Sequence, residues 1–265
     1  IPTPPGRLFA ATDRSGALLY AAGCRGELCI KPNRGSLGDL VFPGLRTAEE
    51  IDEAFRAVAA CHDAVLVERS VSGQIWRFFC IGSDLVGLKF SRPASVVGDG
   101  HHTVAGLTAA KNRERAARDL VGHVPIVLGH AAAFMLERQG LTTDSVPAAG
   151  RRVFLHPLSN ALTGSDGVAR PETVHPSYAA AVMRACAAVP DLRIAGVDVA
   201  IRDPAQPATP DGFAVLEINA SPGLLQHHHP WEGTPQDVAG AMVAYLRRIA
   251  DAPPGKEILS ANPCR

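Results

Sequence analysis

The sequence predicts an α+β protein of two lobes, and three observations lead to this fold class. Apolar runs of strand length alternate with helix-length patterns, and two consecutive runs have the spacing of a hairpin. Of the 265 residues, 46% are apolar and 20% are charged, which is typical of a folded globular chain. No apolar run reaches the roughly 18 residues of a membrane-spanning helix. The net charge of +0 gives no general attraction to nucleic acid or to an anionic membrane, so neither is an expected partner.

The N-terminal elements are predicted from apolar runs and one clear helix start. Thr47 is a predicted N-cap and Glu50 stands at the third helical position, so the two form a capping box for a helix over residues 47–61. The apolar face of that helix consists of Ile51, Phe55 and Val58. The other elements predicted here are a strand at 7–11, a helix at 15–23, strands at 27–31 and 64–69, and a hairpin of strands 75–82 and 85–92.

The C-terminal elements also alternate between helix and strand patterns. They are a helix at 104–119, a strand at 151–156, an alanine-rich helix at 177–189, strands at 194–202 and 213–219, and a helix at 236–250. Residues 121–150 give no clear pattern. We place the boundary between the lobes at residue 100, with an N-terminal lobe of residues 1–100 and a C-terminal lobe of residues 101–265.

The cysteines and a run of three histidines carry no strong chemical signal. The six cysteines form no CxxC pair and no spacing typical of zinc, so we interpret them as structural thiols in a reducing cytoplasm. The run His227-His228-His229 offers imidazole groups, but successive residues of an extended loop point in different directions. We therefore interpret this run as a polar loop before Pro230 rather than as a metal site.

The strongest chemical signal is a set of acidic and amide side chains near the C-terminus. Asp198 interrupts an apolar strand, and Glu217 and Asn219, two residues apart in the next strand, face the same side. If the strands pair as an antiparallel hairpin, Asp198 joins them. Two carboxylates about 4 Å apart repel by roughly 4 kcal/mol at an effective dielectric constant near 20, so such a site needs a shared proton or a cation. Hard oxygen ligands favour Mg²⁺; the alternative is one buried polar residue and two exposed ones.

A glycine-containing loop follows a strand that ends in a lysine. Lys31 precedes the loop Gly35-Ser36-Leu37-Gly38, in which glycines allow backbone N–H groups to approach phosphate oxygens while the lysine supplies a point charge. The spacing is neither that of the P-loop nor that of the dinucleotide-binding glycine motif. Alone, the loop indicates a turn; together with a magnesium-type site, it indicates half of a nucleoside triphosphate site.

Eight segments, taken in their order along the chain, resemble the ATP-grasp superfamily, and within it the cyanophycin synthetase and glutathione synthetase type of carboxylate–amine ligase. The most specific are Leu216-Glu-Ile-Asn-Ala-Ser-Pro-Gly-Leu224 and His229-Pro-Trp-Glu-Gly-Thr-Pro-Gln-Asp-Val-Ala239. The others are Cys29–Gly38, Val65–Arg69, Pro93–Gly100, Leu141–Pro147, Arg151–Leu155 and Gly196–Val199. The resemblance runs from Ile1 to about Leu246. It implies an ATP-grasp fold in which the two α/β lobes hold the nucleotide between them.

The resemblance also implies roles for individual residues. It implies nucleotide contacts from Lys31, Gly35, Ser36, Gly38, Val65, Val67 and Glu68. It implies that one or two Mg²⁺ ions, with Mn²⁺ as an alternative, are held by Asp198, Glu217 and Asn219. The implied catalytic residues, which would stabilise the transferred phosphoryl group or orient the metal, are Arg152, Arg92 and Asn219. The loop at residues 160–164 resembles the segment that closes over substrate.

The implied reaction is the ATP-dependent, ADP-forming joining of an amino acid or peptide carboxylate to an amine. Phosphorylation would turn the unreactive carboxylate into an acylphosphate, which the amine attacks with release of phosphate. Two alternatives stay open. One is an enzyme of the same fold that only phosphorylates its substrate, and the other is a nucleotide-binding regulatory or scaffolding module without catalysis.

Two departures from the ATP-grasp pattern concern the nucleotide. Ile75 stands where the resemblance places a ribose-binding acid, and Leu40 stands where it places a further glycine. Residue 1 falls where an ATP-grasp catalytic unit normally begins, so we expect a preceding domain to be absent from this chain. Additional domains or a homo-oligomer remain open.

Overall fold

The computed structural model of the chain describes residues 1–35, 38–118 and 122–251. Within these ranges the helices are α1 (Arg14–Gly23), α2 (Ala48–Ala59), α3 (Val104–Ala117), α4 (His130–Glu137), α5 (Ser177–Ala187), α6 (Leu225–His228) and α7 (Val238–Ala250). The strands are β1 (Gly6–Ala10), β2 (Leu28–Pro32), β3 (Phe42–Leu45), β4 (Ala64–Arg69), β5 (Gln74–Ile81), β6 (Asp84–Arg92), β7 (Ser95–Val97), β8 (Arg152–Phe154), β9 (Asp166–Ala169), β10 (Ile194–Ile201), β11 (Phe213–Asn219) and β12 (Glu232–Gly233). None of the described helices is long and apolar enough to cross a membrane.

The first sheet has the strand order β1-β4-β2-β3 and packs against α1 and α2. The predicted capping box is confirmed, because the Thr47 hydroxyl accepts from the Glu50 backbone N–H at 3.1 Å and the Glu50 carboxylate accepts from the Thr47 N–H at 3.1 Å. The apolar face of α2 is buried against the sheet, in a core shared with Val65 and Val67 of β4. Because this core covers one face of β4, the opposite face of the strand is the one left for other contacts.

The second sheet has the strand order β11-β10-β5-β6-β9-β12. Strands β5 and β6 form the predicted hairpin, and β10 pairs antiparallel with both β5 and β11. One face of the sheet packs against α5, with Trp76, Phe78 and Val197 in the core between them. The other face is covered at one end by α7, where Phe79 and Val238 meet. The two faces are therefore covered differently, and the second one carries the polar residues described below.

A smaller unit, inserted in the chain between β6 and β9 of the second sheet, contains the two-stranded sheet β7-β8 and the helices α3 and α4. Its core includes Ala94, Val104, Leu136 and Val153. Helix α4 lies in the region, residues 121–150, for which the sequence pattern predicts no element. The unit attaches to the second sheet through ion pairs of α3 with Asp166 of β9.

The change from the first sheet to the second falls between Arg69 and Gln74, whereas the sequence-based boundary between lobes is residue 100. Strands β5 and β6, which that boundary assigns to the N-terminal lobe, belong to the second sheet. Gly73 makes the crossing possible, because it has a φ of 134° and a Cβ there would lie 2.5 Å from the carbonyl oxygen of Ile201. The chain thus passes directly from the end of β4 to the partner strand of β10.

Candidate functional site

A row of four charged side chains crosses one face of the second sheet. Asp198 of β10 lies directly opposite Glu217 of β11 and opposite Arg77 of β5, and Arg77 lies opposite Lys89 of β6. Residues in register on neighbouring strands share a face, so these groups, which we call the charged row, are held on a rigid surface. The condition under which Asp198 joins Glu217 is met, because their strands pair antiparallel.

Asn219 lies beside the charged row. It is two residues from Glu217 on the same strand and is opposite Gly196, where a Cβ would lie 2.6 Å from Pro222 and 3.0 Å from the Arg77 guanidinium, so the glycine lets these two side chains approach the strand. Asp198 and Glu217 supply carboxylate oxygens, and Asn219 supplies an amide oxygen, the donor chemistry that suits Mg²⁺. Among the described residues no group of three or more His, Cys, Asp or Glu side chains could hold a metal. A two-carboxylate set completed by an amide and by substrate phosphates fits Mg²⁺, which rarely takes an all-protein cage.

Arg77 is a residue of this site that sequence reasoning missed. Its guanidinium donates to both carboxylate oxygens of Asp198, at 2.5 and 2.6 Å, and the Asp198 side chain is only 16% exposed. The pair neutralises Asp198 in the absence of a cation. A signal was present in the sequence, because Arg77 is the single charged residue in the apolar strand β5.

Lys89 is the second missed residue. Its ammonium group is buried, 6% exposed, and donates to the Ser91 hydroxyl at 2.9 Å and to the Gln226 side-chain oxygen at 3.0 Å. Both partners are neutral. Burial, and then the neighbouring Arg77 charge, lower the pKa of Lys89 to about 7, and Asp198 opposes this only weakly. The charged row therefore ends in a lysine with a pKa near neutral pH, which Arg77 separates from Asp198.

Lys31 and Glu68 come together on the first sheet. The Lys31 Nζ atom lies 2.7 Å from a Glu68 carboxylate oxygen, and both side chains are largely buried. The pair presents a cation and an acceptor on the face of the sheet opposite the core that α2 covers. This is the arrangement expected of residues that contact a nucleotide phosphate and an exocyclic amine.

Val65 and Val67, predicted as adenine contacts, are placed otherwise by the structure. Both side chains are fully buried in the core under α2. Strand β4 lies between β1 and β2, so the backbone around both valines pairs on both edges. The prediction is corrected for these two residues, because neither side chain nor strand edge is available. Glu68 lies on the other face, where its carboxylate is paired with Lys31.

The glycine loop lies close in space to the segment at residues 160–164 that is predicted to close over substrate. Ser36 lies outside the described residues, so its predicted contact is not described. Gly38 has a φ of 73°, and a Cβ at that position would lie 3.2 Å from Leu158 and 3.3 Å from Asn160. Gly38 therefore allows the loop after β2, which begins near Gly35, to approach residues 158–160 closely. Leu40 has a φ of 52°, the left-handed region, at the place where the resemblance has a glycine.

Arg92 and Arg152 come together, but away from the charged row. Alternate residues of a strand point to opposite faces, and Lys89 lies on the face of the charged row. The Arg92 guanidinium points to the other face, 5.8 Å from the Phe90 ring centroid, and is held by Glu232 at 2.5 and 3.1 Å. Arg152 and Arg92 line one cavity of about 280 Å³. The structure does not bring these two arginines to the carboxylates.

His227 and His228 lie in the short helix α6 rather than in a loop, and His229 follows the end of that helix. His227 is fully buried, and its Nδ1 atom lies 2.9 Å from the Gln236 side-chain oxygen. Burial lowers its pKa to about 4, so it is neutral at physiological pH. The Nε2 atom of His228 accepts from the Ala239 backbone N–H at 3.0 Å. The His227 and His228 imidazoles thus have different hydrogen-bond partners.

Solved structures share this fold. A bifunctional glutathione synthetase from Pasteurella multocida is 29% identical, has a TM-score of 0.62, and is matched over 94% of this chain and 34% of that chain. A D-alanine–D-alanine ligase from Bacillus anthracis, at 14% identity, resembles it in fold alone, with a TM-score of 0.53, 94% of this chain and 60% of that chain covered. The two-sheet architecture is that of the ATP-grasp proteins.

Curated sequences give the same relationship. A bifunctional glutathione biosynthesis protein from Clostridium perfringens is 31% identical over 211 residues, which is 78% of this chain and 27% of the relative. A cyanophycin synthetase from a Nostoc species is 31% identical over 251 residues, which is 93% of this chain and 27% of the relative. The chain spans about a quarter of the length of these two relatives. No protein-family model matches it. On these similarities the chain belongs to the ATP-grasp superfamily, whose members among its relatives are ligases.

Proposed function

We propose that the chain binds ATP with one or two Mg²⁺ ions and uses it to join an amino acid or peptide carboxylate to an amine. The observation that carries the proposal is the position of Asp198 directly opposite Glu217, with Asn219 beside them, on a rigid sheet. The relationship to glutathione and cyanophycin synthetases supports a ligase. Because the relatives are longer, the substrates of the whole protein belong to the proposal as well.

Each sheet would hold one part of the nucleotide. Lys31 would contact the phosphates and Glu68 the exocyclic amine, with the loop around Gly35 and Gly38 covering the terminal phosphates. Asp198, Glu217 and Asn219 would hold the metal, which when bound neutralises charge on the phosphoryl oxygens. Arg77 would then exchange part of its contact with Asp198 for the anionic substrate, because its guanidinium lies within the same row.

The reaction would proceed through an acylphosphate. The substrate carboxylate attacks the γ-phosphorus, the bond to the β,γ-bridging oxygen breaks, and ADP leaves. The neutral amine would then attack the acyl carbon, the bond from that carbon to the phosphate oxygen would break, inorganic phosphate would leave, and the amide nitrogen would lose one proton to water. No enzyme nucleophile is needed, so the side chains of this chain have only to bind, orient and neutralise charge.

The experiment is a turnover assay with a matched pair of variants. Purified protein receives ATP, Mg²⁺, and a panel of amino acids and dipeptides with amine acceptors, and ADP release and amide product are measured by coupled assay and mass spectrometry. Glu217→Gln should abolish ADP release, because it removes one carboxylate of the metal set, which we define as Asp198, Glu217 and Asn219. The matched control Glu137→Gln, which changes an exposed residue of α4, should leave ADP release unchanged. Equal turnover by wild type and Glu217→Gln would refute the metal assignment and the mechanism.

One observation favours a second candidate, a nucleotide-binding module without catalysis. Ile75 pairs with Ala200 in the second sheet and offers no carboxylate to a ribose. ATP binding without ADP release against the whole panel would support this candidate over the ligase.

The compartment and the further partners are part of the proposal. The five cysteines in the described ranges are free thiols, which supports a reducing compartment such as the cytoplasm. The greater length of the relatives supports additional domains, and a homo-oligomer remains a hypothesis.

A further inference from the structure

A cationic pocket lies at the junction of the second sheet with the smaller unit. We define it by Arg92, Ser95, Lys111, Arg152, Asp166 and Trp231, which line a cavity of about 280 Å³. It lies on the side of β6 opposite Lys89, so it is separate from the charged row. Neither the metal set nor the Lys31–Glu68 pair contributes to its walls.

The charges around this pocket leave one guanidinium without an acid. Asp166, fully buried, is paired with Lys111 at 2.7 Å and with Arg115 at 2.5 Å. Glu232 is paired with Arg92 at 2.5 Å. Arg152 has the Ser95 hydroxyl at 3.3 Å but, within the described ranges, no ion pair. A half-buried cation beside a second arginine is costly without an anion, and burial and then Arg92 hold the pKa of Arg152 below its usual value.

Apart from Glu114, which is paired with Arg118 at 2.7 Å, the rest of the wall is aromatic or aliphatic. Trp231 presents its ring to three cations, with the Arg118 guanidinium 3.8 Å and the Lys111 ammonium 5.2 Å from its centroid. Leu107 and Val96 also line the cavity. The volume lies at the lower end of the range of small-molecule sites, roughly 300 to 1,000 Å³. Such a pocket suits a short aliphatic group that ends in an anion.

We propose that the cationic pocket binds a carboxylate of the acid substrate, with Arg152 as its bidentate partner and Ser95 and Lys111 beside it. A planar guanidinium matches the two oxygens of a carboxylate. Arg152 is the cation of the wall without an ion pair among the described residues, and the carboxylates of Glu114, Asp166 and Glu232 line the same cavity, which disfavours a phosphate dianion more than a monoanion. The identification of the bound carboxylate as part of a substrate rests on the proposed function. Binding of the carboxylate in the cationic pocket does not require turnover.

The consequence is a specificity. An amino acid or peptide with a second carboxylate, such as an acidic side chain, would place that group in the cationic pocket while its reacting carboxylate is elsewhere. Arg152 and Arg92 would then recognise the acid rather than stabilise the transferred phosphoryl group. This distinguishes the present assignment from the role that the resemblance implies for these two arginines.

The test is a fluorescence titration with glutarate, a dicarboxylate of suitable length, on the full chain. The chain has two tryptophans, so Trp76→Phe leaves Trp231, in the pocket wall, as the reporter. The titration is run with and without Mg²⁺ and a non-hydrolysable ATP analogue, and is repeated with inorganic phosphate. We expect saturable glutarate binding, weakened about tenfold or more by Arg152→Gln. The matched control Arg151→Gln, at the exposed neighbouring arginine, should bind within about twofold of the parent.

Three results would overturn the assignment. They are no glutarate binding under either condition, equal binding by Arg152→Gln, and tighter binding of phosphate than of glutarate. Arg152→Lys gives a second readout, because it keeps the charge and loses the bidentate geometry, and it should lie between the parent and Arg152→Gln. Glutarate binding by a chain that fails to bind the ATP analogue would leave this assignment standing while the proposed function falls.

Discussion

The buried Lys89 makes the stability of this protein depend on pH in a defined direction. Burial and Arg77 lower its pKa from 10.5 to about 7 in the folded chain. Between these two values the unfolded chain binds a proton that the folded chain does not, so stability rises with pH there. Below about pH 7 the penalty is complete, and each unit of the shift corresponds to about 1.4 kcal/mol, so the full penalty is about 5 kcal/mol.

Lys89→Met isolates this effect because methionine fills a similar volume without an amine. The variant also leaves the Ser91 hydroxyl and the Gln226 oxygen without a donor, which costs about 1 kcal/mol or more for each acceptor. Those losses do not change with pH. The advantage of the variant over the wild type should therefore shrink by about 2 kcal/mol from about pH 7 to about pH 9, whatever its absolute size.

The assay is urea denaturation of the metal-free protein at several pH values, followed by circular dichroism. Thr47→Ala is the control, because it removes the cap of α2 and no group that contacts Lys89, and its stability should differ from wild type by a constant amount across the range. If the curves of wild type and Lys89→Met ran parallel between about pH 7 and about pH 9, the lysine would be charged in the fold, and the reasoning would be refuted.

Three further predictions concern local structure. Leu40→Gly should be more stable than Leu40→Ala by about 1 kcal/mol in urea denaturation, because the φ of 52° favours glycine. A Leu40→Ala variant that was more stable than Leu40→Gly would contradict this. Thr47→Ala should lower the free energy of unfolding by about 1 kcal/mol and Thr47→Ser by less, because serine keeps the bond to the Glu50 N–H; equal losses would exclude the capping box as the cause. Arg77→Met should destabilise the metal-free protein by about 3 kcal/mol, because it leaves the largely buried Asp198 carboxylate without its ion-pair partner. If the variant unfolded at the same temperature as wild type, the ion pair would not contribute to stability.

The shared sheet face of Asp198, Glu217 and Asn219 could be predicted because its signal is local. A charged residue inside an apolar strand, and two polar residues two apart in the next, determine which side chains share a face once the strands pair. Asp198, Glu217 and Asn219 meet this condition, and the register agrees with it. The same rule would have marked Arg77 and Lys89, since each interrupts an apolar strand.

Which strands become neighbours could not be read in the same way. Arg77 meets Asp198 across 121 residues, a pairing that depends on β5 leaving the first sheet for the second. Local hydrophobic periodicity does not indicate which sheet a strand joins, so the sequence-based boundary between the lobes lies at residue 100 instead. Val65 and Val67 illustrate the same limit, because an apolar strand looks alike whether it lies at an edge or between two others.

The proposal that this chain holds a metal–nucleotide complex on the charged row is tested most directly by Mn²⁺ binding. Electron paramagnetic resonance would measure free Mn²⁺ during titration of the protein with and without ATP. Wild type should bind Mn²⁺ with ATP at least about tenfold more tightly than Glu217→Gln, while Glu137→Gln should match wild type. Identical binding by all three proteins, or no dependence on ATP, would contradict the account.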